Sequence, residues 1–250
     1  MHTFYLPSLT PAHPLHTTLL LDKAQSHHAI RVLRLKAGQQ LEIFNGQGTM
    51  ARATLEMACS KSASLTLTAL SHSPPSHIQI TLATAIPKGP RADEMVNQLS
   101  QLGVGRLIPL LCDRAVVRPS AKKLQRFQAA CIESAKQARR PYLMSIGEAQ
   151  SFEQVLTMQA RTKLMAHPYD AAPLRMDPLG EGETHEVLVL IGPEGGFTEL
   201  EVERAKDGGF CPWQFAPHIL RIETAAVAAG AILCSHLLTS QEQSFDSPAI

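Results

Sequence analysis

The chain has 250 residues, 44% of them hydrophobic and 18% charged, with a formal net charge of +1. That size holds one large core or two smaller ones, and ordinary domain sizes favour two. No apolar run approaches the roughly 18 residues a membrane-spanning helix needs, and Cys59, Cys112, Cys131, Cys211 and Cys234 are too widely spaced for a disulfide framework or a paired-cysteine zinc site.

The first seven residues, Met1 to Pro7, lack the basic start and apolar centre of a signal peptide, so a soluble cytoplasmic protein without membrane attachment is expected. After a short strand-like start, Ser26 to Arg34 reads as one helix, with Ser26 as its cap and Gly38 ending it. Leu41–Phe44, a turn at Asn45-Gly46-Gln47-Gly48, Ala51–Met57 and Leu65–Leu70 then alternate apolar with polar residues. Such short alternating strands predict a small antiparallel barrel or sandwich over roughly the first 70 residues.

The cluster Ser71-His72-Ser73-Pro74-Pro75-Ser76-His77 reads as a boundary, which makes 1–72 a β-domain and 73–250 a second domain. Beyond it the rhythm becomes strand and helix: Ile78–Ile86, Asp93–Leu102 capped by Gly103, Leu107–Leu111, a long helix from Ser120 to about Arg139 stopped by Pro141, Phe152–Met158, and Thr162–Ala166. Val187-Leu188-Val189-Leu190-Ile191 is an unbroken apolar run, the pattern of a central parallel strand covered on both faces. The fold class is therefore α/β for the second domain.

Charge is uneven along the chain. From Asp113 to Arg140 there are eight cations, Arg114, Arg118, Lys122, Lys123, Arg126, Lys136, Arg139 and Arg140, against Asp113 and Glu133. From Asp177 to Asp207 nine acids face Arg204 and Lys206. A solvated charged face and a nucleic-acid contact both account for the basic stretch at this point.

Gly192-Pro193-Glu194-Gly195-Gly196 leaves the end of the central strand, and Thr198-Glu199-Leu200-Glu201 behind it is a capping box that opens a helix. Ligands bind at such strand ends in α/β sheets, although a tight turn that needs glycines for positive φ accounts for the same residues. The Gly-Lys-Ser/Thr ending of a triphosphate loop is missing, as is the Gly-x-Gly-x-x-Gly of a dinucleotide turn, and Glu194 would repel phosphate. An uncharged or cationic ligand with hydroxyls and an adenine edge suits it better. Further on, Ile219-Leu220-Arg221-Ile222-Glu223-Thr224 precedes Ala225-Ala226-Val227-Ala228-Ala229-Gly230-Ala231, whose small side chains allow a close helix approach. The histidines His13, His16, His27, His28, His72 and His77 have neither cysteine partners nor a His-Glu-x-x-His helix, so no metal is expected.

These segments, with His28-Ala29-Ile30-Arg31-Val32-Leu33-Arg34 near the start, Gln101-Leu102-Gly103-Val104 and Ile108-Pro109-Leu110 in the middle, and Ala166-His167-Pro168, together resemble the bacterial 16S ribosomal RNA uridine-N3 methyltransferase family (RsmE) of the SPOUT superfamily. The resemblance spans nearly the whole chain, and the order and spacing of the motifs carry it. Gln98, Gln101 and Ala216-Pro217-His218 depart from the family pattern.

The resemblance implies a PUA-like RNA-binding β-domain, a SPOUT α/β domain with a C-terminal trefoil knot, S-adenosylmethionine as cofactor, 16S rRNA or the small ribosomal subunit as partner, and a homodimer. It implies cofactor contacts at Ile191, Gly192, Glu194 and Gly196 in one loop and at Phe215, Ala216, Ile219 and Leu220 in the next. Arg221 becomes the candidate catalytic residue, because removing the uracil N3 proton spreads charge onto the ring carbonyls, where a guanidinium stabilises it. Glu194, or Glu223, could accept or orient, while His167 reads as a loop histidine. Arg31, Arg34, Lys36, Arg114, Arg118, Lys122, Lys123, Arg126, Arg139 and Arg140 become candidate phosphate contacts. Aromatic residues are only 5% of the chain, so base stacking has few candidates and recognition by shape is expected. A SPOUT enzyme for another nucleotide, and an RNA-binding relative without catalysis, are the rival readings.

Overall fold

The computed structural model describes residues 1–168 and 184–242, with side chains in the last helix up to Ser235. Three acids of the Asp177–Asp207 stretch, Asp177, Glu181 and Glu183, lie outside the described residues. Backbone contacts divide the chain into one unit of Met1–Pro75 with Ile132–Leu143, and another of Ser76–Cys131 with Met144–Ile250.

The first unit holds β1 (Thr3–Tyr5), β2 (Thr18–Leu20), α1 (Lys23–His27) continued by a π-helical turn at His28–Val32, β3 (Gln40–Phe44), β4 (Thr49–Met57) and β5 (Ser64–His72). They form a five-stranded sheet in the order β1-β3-β4-β5-β2, antiparallel except for the β1–β3 pair. The alternation in β4 places Ala51, Ala53 and Leu55 in the core and leaves Arg52 in solvent. Phe4, Leu9, Leu41, Ile43, Leu65 and Leu67 complete that core. Between β3 and β4, the Asn45 side chain accepts from the amides of Gln47 (2.7 Å) and Thr49 (3.0 Å) and donates to the Leu9 carbonyl (3.0 Å). The turn therefore satisfies its own backbone.

The structure corrects two readings of this region. Ser26 does not cap the helix: Asp22 does, accepting from the Gln25 amide at 2.8 Å. Ser26 is fully buried, donates to the Leu21 carbonyl (3.0 Å) and accepts from the Ala63 amide (2.9 Å). The helical stretch ends at Val32 with Leu33 as its C-cap, and the left-handed Arg34 (φ 54°) follows it, ahead of Gly38, which turns the chain into β3 instead.

The second unit contains β6 (Ile78–Thr84), α2 (Arg91–Leu102), β7 (Arg106–Leu111), the first part of α3 (Ala121–Ala138), β8 (Ser145–Ile146), β9 (Gln150–Ser151), α4 (Phe152–Leu156), β10 (Thr162–Ala166), β11 (His185–Ile191), α5 (Glu199–Asp207), β12 (Cys211–Trp213) and α6 (Ile222–Glu242). The strands form a parallel sheet in the order β12-β10-β11-β6-β7-β8, with β9 also beside β7. The apolar run of β11 sits inside this sheet and feeds two cores. Val187, Val189 and Ile191 pack with residues of α2, α3 and α6, while Leu188 and Leu190 pack with Phe152, Val155, Ala205 and Phe210 on the other face. That division explains why no polar residue interrupts the run.

Gly103 caps α2 in the left-handed conformation (φ 114°). The small residues of α6 serve close packing against α2: a Cβ on Gly230 would lie 3.2 Å from Leu99 and 3.2 Å from Val104. No helix of the described residues is long and apolar enough to cross a membrane.

Candidate functional site

The C-terminal ends of β10, β11 and β12 open into a cavity of about 340 Å³, inside the range of small-molecule sites. Two loops supply most of its wall. One runs from Ile191 to Phe197 after β11, the other from Trp213 to Leu220 after β12, and Ala166, His167 and Pro168 close the side below β10. The registers of the three strands bring these loops together: Leu164 pairs with Val189 and with Cys211, so their ends finish side by side.

Each loop is held by its own chemistry. In the first, Gly196 takes φ +68° and donates to the Pro193 carbonyl at 2.8 Å, a turn that side chains rarely adopt. The capping box then starts α5: the Thr198 hydroxyl accepts from the Glu201 amide (3.2 Å), and the Glu201 carboxylate accepts from the Thr198 amide (2.8 Å). Glu201 is buried, and its second oxygen accepts from the Asp113 amide at 2.9 Å, which ties the segment after β7 to the helix after β11. In the second loop, the Trp213 and Phe215 rings lie 4.5 Å apart and form an aromatic wall. The His167 amide donates to the Trp213 carbonyl at 3.2 Å and joins that wall to β10.

All eight residues expected at a cofactor, Ile191, Gly192, Glu194, Gly196, Phe215, Ala216, Ile219 and Leu220, line this cavity. His167 lines it as well. Among the described residues the lining contains the Glu194 carboxylate and no lysine or arginine. A polyphosphate would find no counter-charge there, whereas a cationic or neutral ligand with an aromatic ring finds a carboxylate, ring faces and backbone edges. S-adenosylmethionine, with a sulfonium and an adenine, fits that set.

Arg221 stands beside the cavity, not in its wall. It is exposed, immediately precedes α6, and its carbonyl accepts from the Ala225 amide at 2.8 Å, while Leu220 and Ile222 on either side line the cavity. Glu223 pairs with Arg91 at 3.2 Å, across the start of α2. Of the departures from the family pattern, Gln98 and Gln101 lie on the exposed side of α2, whereas Ala216 and His218 line the cavity.

The candidate phosphate contacts divide by environment. Lys123 (3.9 Å) and Arg126 both pair with Asp93, and Arg139 lies 3.8 Å from Glu42. Arg114 donates to the Gly195 carbonyl at 2.6 Å. Arg118 and Lys122 are exposed without an acidic partner among the described residues, as are Arg31, Arg34 and Lys36 in the first unit. Arg140 is half-buried, its amide bonded to the Ala135 carbonyl at 3.0 Å.

Sequence reasoning missed the Trp213, Gln214 and Phe197 walls. The single tryptophan of the chain, two residues before Phe215 in a short strand, was the available signal for the first. Cys112, near the Glu201 tie, has its thiol pushed up to about 11 by burial and by the carboxylates of Glu201 and Asp113.

Comparison with known proteins gives the family of the chain. Residues 74–234 match the model of an RNA methyltransferase domain, and residues 21–68 match an RNA methyltransferase PUA domain. A ribosomal RNA small subunit methyltransferase E of Synechocystis is 31% identical over 229 residues, 88% of this chain and 74% of that protein. Among solved structures, the ribosomal RNA small subunit methyltransferase E of Neisseria gonorrhoeae bound to S-adenosylmethionine superposes with a TM-score of 0.84 at 27% identity, over 94% of this chain and 98% of that one. A methyltransferase of Legionella pneumophila with the same cofactor gives 0.82 at 28%, over 94% and 97%. The chain belongs to the ribosomal RNA small subunit methyltransferase E family.

Proposed function

We propose that the protein transfers the methyl group of S-adenosylmethionine to N3 of a uridine in 16S rRNA, acting in the cytoplasm as a homodimer. The observation that carries the reading is the cavity after β11 and β12, walled by two loops, aromatic on one side and carrying the carboxylate of Glu194 with no lysine or arginine among its described lining. Ile191, Gly192 and Gly196 on one loop, and Phe215, Ala216, Ile219 and Leu220 on the other, would hold the cofactor. When bound, the cofactor supplies an electrophilic methyl group on a sulfonium. The knotted path of the C-terminal chain belongs to the same reading, as do the boundary near residue 72 and the RNA-binding role of the first 72 residues.

The protein's own task is to prepare the uracil. Its N3 carries an imide proton, and the negative charge left on removal spreads over the two ring carbonyl oxygens. Arg221, at the start of α6, offers a guanidinium beside the cavity, and the positive end of the helix dipole favours the same charge. One well-placed donor of this kind is worth about 3 kcal/mol. Glu194 faces the cavity and orients or accepts from the substrate. The exposed cations Arg118 and Lys122, and Arg31, Arg34 and Lys36, serve as phosphate contacts together with Arg140; Lys123, Arg126 and Arg139 add to them where their acidic partners are released. Exposed Val116 and Leu200 offer apolar contacts for a second copy.

Titration calorimetry with S-adenosylmethionine tests the enzyme reading. Binding tighter than about millimolar to the folded protein is expected; its absence would leave an RNA-binding relative without catalysis.

A further inference from the structure

The glycine loop is gripped from outside the cavity by a side chain 81 residues earlier in the chain. Arg114 donates from its guanidinium to the Gly195 carbonyl at 2.6 Å. Its aliphatic stem also covers the face of Gly195 that a side chain would occupy: a Cβ there would lie 3.2 Å from Arg114 Cδ and 3.6 Å from its Cβ. Unlike Gly196, Gly195 has no left-handed φ, so the approach of Arg114 explains the missing side chain where backbone conformation does not.

The residue that makes this grip is itself fixed. Asp113 next to it donates its amide to buried Glu201 at 2.9 Å, and the Ala115 amide closes a turn on the Cys112 carbonyl at 3.0 Å. Glu201 spends its other oxygen on the Thr198 amide and hydroxyl, at 2.8 and 3.2 Å. The segment after β7 is thus anchored to the start of α5 at one point and reaches the glycine loop at another. Two anchors remove most of the freedom that an exposed arginine would otherwise keep, so the bond is less diluted by side-chain entropy than an isolated surface contact.

We propose that Arg114 is a positioning residue for the cofactor loop, holding the Gly195 carbonyl and through it the Pro193–Gly196 turn in the shape that receives the ligand. This rests on the reading of the cavity as a S-adenosylmethionine site, but the grip on the loop is a property of the protein without ligand. It also changes the place of Arg114 among the basic residues, since its guanidinium is committed to the protein's own loop.

Arg114→Met keeps the stem and removes the donors; Arg114→Lys restores one cationic donor. Amide hydrogen exchange of the unliganded proteins reads the grip directly. The Gly196 amide, bonded to Pro193, is expected to exchange about ten-fold faster in Arg114→Met than in the parent, with partial recovery in Arg114→Lys. Calorimetry is expected to show S-adenosylmethionine bound about ten-fold more weakly by Arg114→Met, the loss of one charge-assisted hydrogen bond. In turnover, KM for the cofactor rises while kcat holds. Unchanged exchange at Gly196 overturns the proposal, and so does unchanged cofactor affinity accompanied by weaker RNA binding, which makes Arg114 a phosphate contact. If the parent protein binds no S-adenosylmethionine, the functional reading fails while the exchange experiment still decides the grip.

Discussion

The ring of Phe197 lies 3.1 Å from the point where a Cβ on Gly192 would stand. Gly192 has no left-handed φ, so what it supplies is space: the ring folds back over the first residue of its own loop and forms part of the cavity wall. The Phe152 ring packs against it, with centroids 5.7 Å apart.

Gly192→Ala is therefore expected to push the ring into the cavity or strain the loop, at a cost of about 1 to 3 kcal/mol. The measurable results are a lowered melting temperature and S-adenosylmethionine affinity reduced by at least about ten-fold. Retained affinity would mean that the ring moves away freely and that the wall is not formed as described.

Arg221 and the cavity-lining residues next to it predict a separation of functions. Arg221→Ala should bind S-adenosylmethionine like the parent, because the side chain is not in the cavity wall, while methyl transfer falls about 100- to 1000-fold. Calorimetry and single-turnover transfer measured on the same preparation check this. Equal loss of both would assign Arg221 to cofactor binding or folding.

Near the N-terminus, Asp22 and Ser26 predict two different stability signatures. Hydrogen bonding by the Gln25 amide holds the Asp22 carboxyl below its ordinary value. A folded value depressed below the unfolded one means that the stabilisation is present above about pH 4 and is lost as pH falls through the folded value. Asp22→Ala should thus cost about 1 kcal/mol at neutral pH, and the gap from the parent should close in acid. Ser26→Ala leaves the buried Leu21 carbonyl and Ala63 amide without their shared partner and should cost about 1 to 3 kcal/mol, with no dependence on the titration of Asp22. Denaturation series at several pH values distinguish the two.

Cys112 supplies a chemical check on the Glu201 tie. With its thiol at about 11, roughly one molecule in a thousand carries the thiolate at pH 8. Iodoacetamide should label Cys59, whose thiol is held below its ordinary value by the Lys61 and Ser62 amides, and exposed Cys211 before Cys112, which should gain reactivity only as the pH approaches that value. Glu201→Gln removes a nearby charge and should lower the pH at which Cys112 reacts; mass spectrometry of the peptides reads both.

The parts of this structure that were legible in the sequence are those fixed by neighbours along the chain. Alternation in β4, the apolar run of β11, the Thr198–Glu201 capping box and the left-handed Gly103 all follow from interactions within a few residues. The two cavity loops were found because strand ends and glycines mark them locally. Ser26 was misread because its true partner, Ala63, lies 37 residues away and a serine before a helical stretch looks like a cap from one side only. The grip of Arg114 on Gly195 spans 81 residues, and the parallel β1–β3 pair brings the first strand beside a third one; neither leaves a periodicity to read. The basic helix shows the same limit, since Asp93, the partner of Lys123 and Arg126, sits on another helix.

The central claim is the transfer of a methyl group to uridine N3, and mapping the modified nucleoside in 16S rRNA tests it most directly. Small ribosomal subunits from cells lacking the protein, incubated with the purified protein and S-adenosylmethionine and digested for mass spectrometry, should gain N3-methyluridine at one position, and the Arg221→Ala protein should add almost none. A methyl group on another base or on a ribose, or N3-methyluridine already present in the subunits from cells lacking the protein, would contradict the account.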